Sequence, residues 1–214
     1  STSADLIPVT VLSGFLGAGK TTLAIHLAVL AGDGGARVCL IDCDPQRSAT
    51  KWWHRRSDSA LTLVTRAAPG LPEVLEAARE DGYDYSIIDT APHADAAATA
   101  AARAADFALI PCRPAILDLD AVVATVDLLR AIRKRSAIVM NACPAGRGIA
   151  EAGLTMDARN ALKEHRLPIV PVSVIQRVAL AHALIDGRSV TEFEPEGKAA
   201  GEMRALWKWI VEHV

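Results

Sequence analysis

The sequence predicts an α/β domain built on a doubly wound, mostly parallel sheet with helices on both faces. Three observations carry this. Short β-branched and aliphatic runs alternate with longer Ala- and Leu-rich stretches along all 214 residues, the pattern of successive strand–helix–strand crossovers. The first run leads directly into a glycine-rich loop and then a helical stretch. The composition, 51% hydrophobic and 22% charged, excludes a disordered, collagen-like or disulfide-stapled chain and leaves ample apolar surface for a core. No internal repeat or interdomain linker breaks the alternation, so residues 1–214 are expected to form a single domain.

The strand runs, in order, are Val9 to Leu12, Arg37 to Asp42, Leu61 to Thr65, Tyr85 to Asp89, Phe107 to Pro111, Ala137 to Asn141 and Pro168 to Val172. They are short and apolar, as strands buried on both sides must be. Between them the apolar period becomes helical, most clearly at Leu119, Val122, Val123, Val126 and Leu129, and at Ala199, Met203, Leu206, Trp207 and Ile210. The Ala-rich segment Ala91 to Ala105 reads as a small-faced helix packed close on the sheet. Ala31 to Ala36, Ala67 to Leu71 and Ala142 to Gly148 read as loops. Right-handed crossovers then place ligands at the carboxyl ends of the strands.

One such end carries Gly14-Phe15-Leu16-Gly17-Ala18-Gly19-Lys20-Thr21, a complete GxxxxGK[ST] between a strand and a helix. This is the loop of a P-loop NTPase. Glycines let the backbone wrap a phosphate, successive N–H groups form an anion nest, and the helix N-terminus adds its positive end. Lys20 is expected on the β/γ-phosphates, the Thr21 hydroxyl on Mg²⁺, and Thr22 extends the binding segment. A glycine turn with a surface lysine is the bland alternative, and the strand–loop–helix context argues against it. The run Tyr85 to Asp89 ends in an acid where a carboxylate holds the magnesium shell. Asp42 and Asp44, two residues apart at another strand end, point the same way in an extended chain. Asp44 is placed to orient an attacking water and Asp42 to support the metal, although either alone also suits an N-cap or turn. Lys20 and Asp44 are thus the expected catalytic residues, and Thr21, Asp42 and Asp89 the metal set.

These residues, taken in order, resemble the ParA/MinD partition ATPases, in particular their short ParA-like members. The resemblance covers nearly the whole chain. Asp42-Cys43-Asp44-Pro45-Gln46 is similar to the family's DxDPQ segment, and Asp89-Thr90-Ala91-Pro92 to its Walker B and switch. Ile110 to Pro114 followed by Leu117 to Ala121, Ile175-Gln176-Arg177, Gly187 to Val190 and Gly197 to Met203 resemble later family segments. The resemblance implies ATP and Mg²⁺ as ligands, with Asn141 contacting adenine. It implies an ATP-dependent homodimer that binds DNA without sequence preference and positions plasmid, chromosomal or protein cargo. It also implies hydrolysis that resets the cycle, a stimulating adaptor of ParB-like role, and a cytoplasmic, nucleoid-associated protein; that the hydrolysis is slow is the expectation from Phe15, which stands where the family's cation would.

The departure is at Phe15, where the family usually carries a lysine that crosses a dimer interface. The segment Thr10 to Thr22 instead resembles the P-loop of CobW-type GTPase metallochaperones, although no CxCC metal motif or NKxD guanine motif is present. That GTPase reading and a nucleotide-gated scaffold with negligible turnover stand as alternatives. Arg147 is one cation a partner copy could supply, and its bland reading is a solvated loop residue.

A net charge of −2 rules out a global basic field, so any DNA contact must be local. Arg130, Arg133, Lys134 and Arg135, with Arg204 and Lys208, are candidates, against the plain reading of cations solvating helix ends. The run Lys51 to Arg56 sets two tryptophans among cations, for stacking on a partner or for packing. Cys39, Cys43, Cys112 and Cys143 have no metal or redox spacing. The six histidines show no ligand spacing, and a role for His93 at the γ-phosphate competes with a turn role. No run is long enough to cross a membrane.

Overall fold

The computed structural model describes residues 7–11, 17–57, 61–91, 96–147, 150–164, 166 and 168–214. Strands and helices alternate: β1 (Ile7–Val11), α1 (Lys20–Asp33), β2 (Val38–Asp42), α2 (Ser48–Trp53), β3 (Thr62–Thr65), α3 (Leu71–Glu80), β4 (Tyr85–Asp89) and α4 (Ala96–Ala104). There follow β5 (Phe107–Cys112), α5 (Ile116–Ala131), β6 (Ser136–Cys143), α6 (Gly153–Lys163), β7 (Ile169–Ile175), α7 (Val178–Ile185), α8 (Val190–Phe193) and α9 (Lys198–His213). The seven strands form one sheet in the order β3-β2-β4-β1-β5-β6-β7. Every pairing is parallel. From β1 the chain winds outward to β2 and β3, then returns past β1 to β5, so the order reverses around β1. That reversal opens the crevice in which doubly wound sheets bind ligands.

Period two along the strands separates two cores. Leu40, Ile87, Leu109 and Val139 face α1, α7 and α9, joined by Leu23, Leu27, Met203, Leu206 and Ile210. On the opposite face, Ile110, Ile138 and Met140 meet α5 and α6, while Ile41 and Ile88 meet α3 and α4. Burying each such side chain stabilises the fold by roughly 1.5–3 kcal/mol. Ala98, Ala101 and Ala102 are the buried stripe of α4, and their small size brings that helix close to the sheet. Within the Ala-rich stretch read as a helix, Ala96–Ala104 is a packed helix, and residues 92–95 lie outside the described residues.

Three local expectations shift. Helix α1 runs through Asp33, shortening the loop read at Ala31 to Ala36. Strand β6 continues to Cys143 because Ala142, at φ +50°, adds an irregularity in the pairing with β7 that breaks the alternation. Strand β7 extends to Ile175, past the break in apolarity at Ser173. Arg159 lies along that strand, donating to the carbonyls of Val170 and Pro171 and to Ser173 Oγ.

Candidate nucleotide site

The described part of the glycine loop meets α1 at Gly19, whose φ of +87° lies in the left-handed region that favours glycine. A Cβ there would stand 2.3 Å from Asn141 Nδ2, so no side chain fits. Asn141, near the end of β6, donates from Nδ2 to the Ala18 carbonyl at 2.7 Å and holds the loop against the sheet. No side chain caps the start of α1, which leaves its first N–H groups to an anion. Lys20, only 6% exposed, sits in that first turn. Burial lowers its pKa, while the charges of Asp89 and Asp44 oppose the shift.

Strand register brings the acids together. Asp42 and Asp89 are direct partners across β2 and β4, and Asp89 pairs with Val11 of β1 on its other side. Asp42 is tied down: Oδ1 accepts from the Asp44 backbone N–H at 3.1 Å, and Oδ2 accepts from Thr50 N–H at 2.9 Å and Thr50 Oγ1 at 2.6 Å. It anchors both the Asp44 turn and helix α2. Asp44, buried, accepts the Gln46 N–H on Oδ1 at 2.9 Å. Asp89 differs from both. It is fully buried, and neither carboxylate oxygen has a hydrogen-bond partner. Burial drives its pKa up to about 7. The carboxylates of Asp42 and Asp44 add to the shift, while Lys20 and the nearby Thr21 hydroxyl, short of hydrogen-bond geometry, resist it.

Orphaned carboxylate oxygens this deep are rare and costly. Beside a threonine hydroxyl they form a hard oxygen donor set suited to Mg²⁺, which needs few protein ligands when phosphate oxygens complete its shell. Among the described residues no group of three or more His, Cys, Asp or Glu could hold a metal unaided.

Next to the loop lies a pocket of about 620 Å³ lined by Gly17, Gly19, Thr22, Asn141, Gln176 and Arg177 among others. The described members of the expected set, Gly17, Ala18, Gly19, Lys20, Thr21, Thr22, Asp42, Asp44, Asp89 and Asn141, therefore converge on one corner of the sheet. Gly14, Phe15 and Leu16 lie outside the described residues, as do His93 and His165. Arg147 is exposed in the loop after β6. Sequence reading missed Gln176 and Arg177 as pocket-lining residues, and it missed Arg113. The available signal was position: Arg113 follows β5 directly, and Gln176 and Arg177 follow β7.

Three of the six basic candidates are engaged with carbonyls, and Lys208 lies 3.8 Å from a carboxylate oxygen of Glu212. Lys134 donates to the Ala105 carbonyl, Arg135 to that of His213, and Arg204 to that of Pro195 at 2.7 Å. Arg130 and Arg133 are exposed. The tryptophans pack: Trp52 is buried with Nε1 on the Arg188 carbonyl, and half-buried Trp53 donates to that of Leu61. Among the described residues no helix is long and apolar enough to cross a membrane.

Parallel strands reversing around β1, a glycine loop feeding α1, and acids on the neighbouring strand ends define a P-loop NTPase fold. The chain belongs to the CobQ/CobB/MinD/ParA nucleotide-binding domain family, whose pattern matches residues 9–190. It is 35% identical over 210 residues to Maintenance of carboxysome distribution protein A of Gloeobacter kilaueensis, covering 96% of this chain and 93% of that protein. It is 27% identical to the chromosome-partitioning ATPase Soj of Thermus thermophilus, covering 92% of each. In fold it is similar to Cyanothece apo McdA, with a TM-score of 0.83 at 20% identity over 95% of this chain and 99% of that one. The expected ParA/MinD kinship and doubly wound fold are thus borne out.

Proposed function

We propose that residues 1–214 form a single ParA-like ATPase domain that takes ATP with Mg²⁺ and pairs with a second copy around the nucleotide. In that state it binds DNA without sequence preference and positions a plasmid, chromosomal or protein cargo. Slow hydrolysis, stimulated by an adaptor of ParB-like role, resets the cycle on the nucleoid. The observation that carries this reading is Asp89, a buried carboxylate with two unpartnered oxygens beside Thr21 and Lys20. The names of the relatives, a carboxysome-distribution protein and a partitioning ATPase, support positioning as the task.

In this reading the backbone of Gly17 to Gly19 and the start of α1 bind the phosphates, and Lys20 neutralises them. Thr21 and Asp89 would hold the Mg²⁺, which when bound supplies charge stabilisation to the phosphoryl oxygens. Asp44, fixed by Asp42 and its own turn, accepts from and orients the attacking water. Asp42 supports the metal side indirectly, through Asp44 and Thr50. The 620 Å³ pocket beside Asn141 takes the adenosine moiety. Ile116, Leu117 and Leu154 are 75%, 64% and 58% exposed on the strand-end face, an apolar rim that supports burial against a second copy.

Retention on DNA-coated beads tests the cycle. Retention is expected with ATP and Mg²⁺ and not with ADP or without nucleotide. Equal retention in all three states would refute the switch, and calorimetric heat from GTP but not ATP would move the reading to the GTPase alternative.

A further inference from the structure

Arg113 follows directly on β5, the strand beside β1, and is fixed by an unusually well placed partner. Its Nε donates to Asp118 Oδ1 at 3.0 Å and its Nη2 to Asp118 Oδ2 at 3.2 Å. Asp118, in the first turn of α5, is 3% exposed. A bidentate clamp of this kind fixes the plane of the guanidinium as well as its position. With Nε and Nη2 committed, Nη1 is left, and it faces the glycine loop: a Cβ built on Gly17 would lie 3.7 Å from it. The groove lined by Arg113 shares Ala142 and Gln176 with the 620 Å³ pocket, so the two lie side by side.

We propose that Arg113 is a second phosphate-contacting cation of this site, presented by Asp118 to the terminal phosphate of a bound nucleoside triphosphate. The inference rests on the nucleotide reading above. It deepens it by assigning, to the residue that follows β5, charge of the kind that the sequence lacks at Phe15. Phosphoryl transfer gains chiefly from positioned charge on the transferring group. A fork already clamped on one edge loses little freedom when its other edge meets an oxyanion. Asp118 is a positioning residue in this scheme.

The test compares affinities for ATPγS and ADP, each with Mg²⁺, by calorimetry on the full chain and on Arg113→Ala, Arg113→Gln and Asp118→Asn, with single-turnover ATP hydrolysis alongside. A terminal-phosphate contact predicts that R113A and R113Q weaken ATPγS about tenfold while ADP stays within twofold, and that hydrolysis slows at least tenfold. D118N, which keeps the cation but loosens it, falls between. A purely structural ion pair would lower the melting temperature and leave the ATPγS/ADP ratio unchanged, any loss of affinity being shared by both nucleotides. The criterion is the ATPγS/ADP affinity ratio: a drop of threefold or more in either Arg113 variant supports the contact, and a smaller one overturns it. If the unaltered chain bound neither nucleotide, the nucleotide reading itself would fail, and the contact with it.

Discussion

Two buried polar clusters in this molecule handle their charges in opposite ways. Around α8 the charged groups answer one another, although the buried Nε2 of His26 has no hydrogen-bond partner among the described residues. Ser189 and Glu192 form a capping box, and Glu192 takes Arg56 Nη1 at 2.9 Å and Nη2 at 2.7 Å. His26 Nδ1 accepts the Val190 N–H at 3.1 Å. At the ends of β2 and β4, by contrast, Asp89 has two oxygens with no partner, and the nearby acids Asp42 and Asp44 repel it. A satisfied cluster holds a fold together. One left open at a cost to stability marks where a ligand is expected.

Neutralising the open cluster tests this contrast most severely. Asp89→Asn should lower ATP hydrolysis by on the order of 100-fold or more. It should also raise the stability of the nucleotide-free chain by about 1 kcal/mol, since an uncompensated buried charge is removed. Single-turnover assays and denaturant melts report the two effects; loss of stability would put Asp89 with the structural acids.

The closed cluster should respond in the reverse sense. Glu192→Ala leaves the Arg56 side chain, 4% exposed, without its carboxylate, and should destabilise the fold by about 3 kcal/mol. In a domain of this size that lowers the melting temperature by roughly 6–12 °C, while ATP affinity stays within about twofold. A shift under roughly 2 °C would show that the pair contributes little.

The smallest effect is a pH dependence centred on His26. Burial pushes its pKa down to about 4 from 6.5, opposed by the Leu180 backbone and then by the Glu192 carboxylate. The unfolded chain therefore takes up this proton first. The His26 contribution is fully present above pH 6.5 and is lost as pH falls toward 4, about 1 kcal/mol of it by pH 5.5. The variant His26→Gln keeps an acceptor for Val190 and removes the titration. The stability of the unaltered chain minus that of H26Q should fall over this window, and a flat difference would contradict the assignment.

Much of the nucleotide corner was legible because its information is local. Gly17 through Thr22 are contiguous, Asp42 and Asp89 each end an apolar run whose burial forces a strand, and Asp44 lies two residues beyond Asp42. The sheet supplied what spacing alone does not: the register that pairs Asp42 with Asp89. The closed cluster was not legible. His26 and Val190 lie 164 positions apart, Arg56 and Glu192 136, and no local pattern joins them. The basic helix ends were legible only as alternatives, because a lysine that caps a carbonyl and one that meets a phosphate look alike in sequence. Arg113 and Asp118 are only five residues apart, yet their sequence reads as an ordinary loop entering a helix. Only the position of the Arg113 guanidinium beside Gly17 distinguishes them.

Helix α2 is six residues long and fastened at both ends. Thr50 hangs from Asp42, and Trp52 is latched to the Arg188 carbonyl. Gly187, at φ +71°, comes so close to the Arg55 backbone that a Cβ would collide with it at 2.5 Å. The helix therefore works as a rigid strut. It ties the tip of β2 to a segment more than 130 positions further along the chain through side-chain hydrogen bonds to Asp42 on one side and to the Arg188 carbonyl on the other.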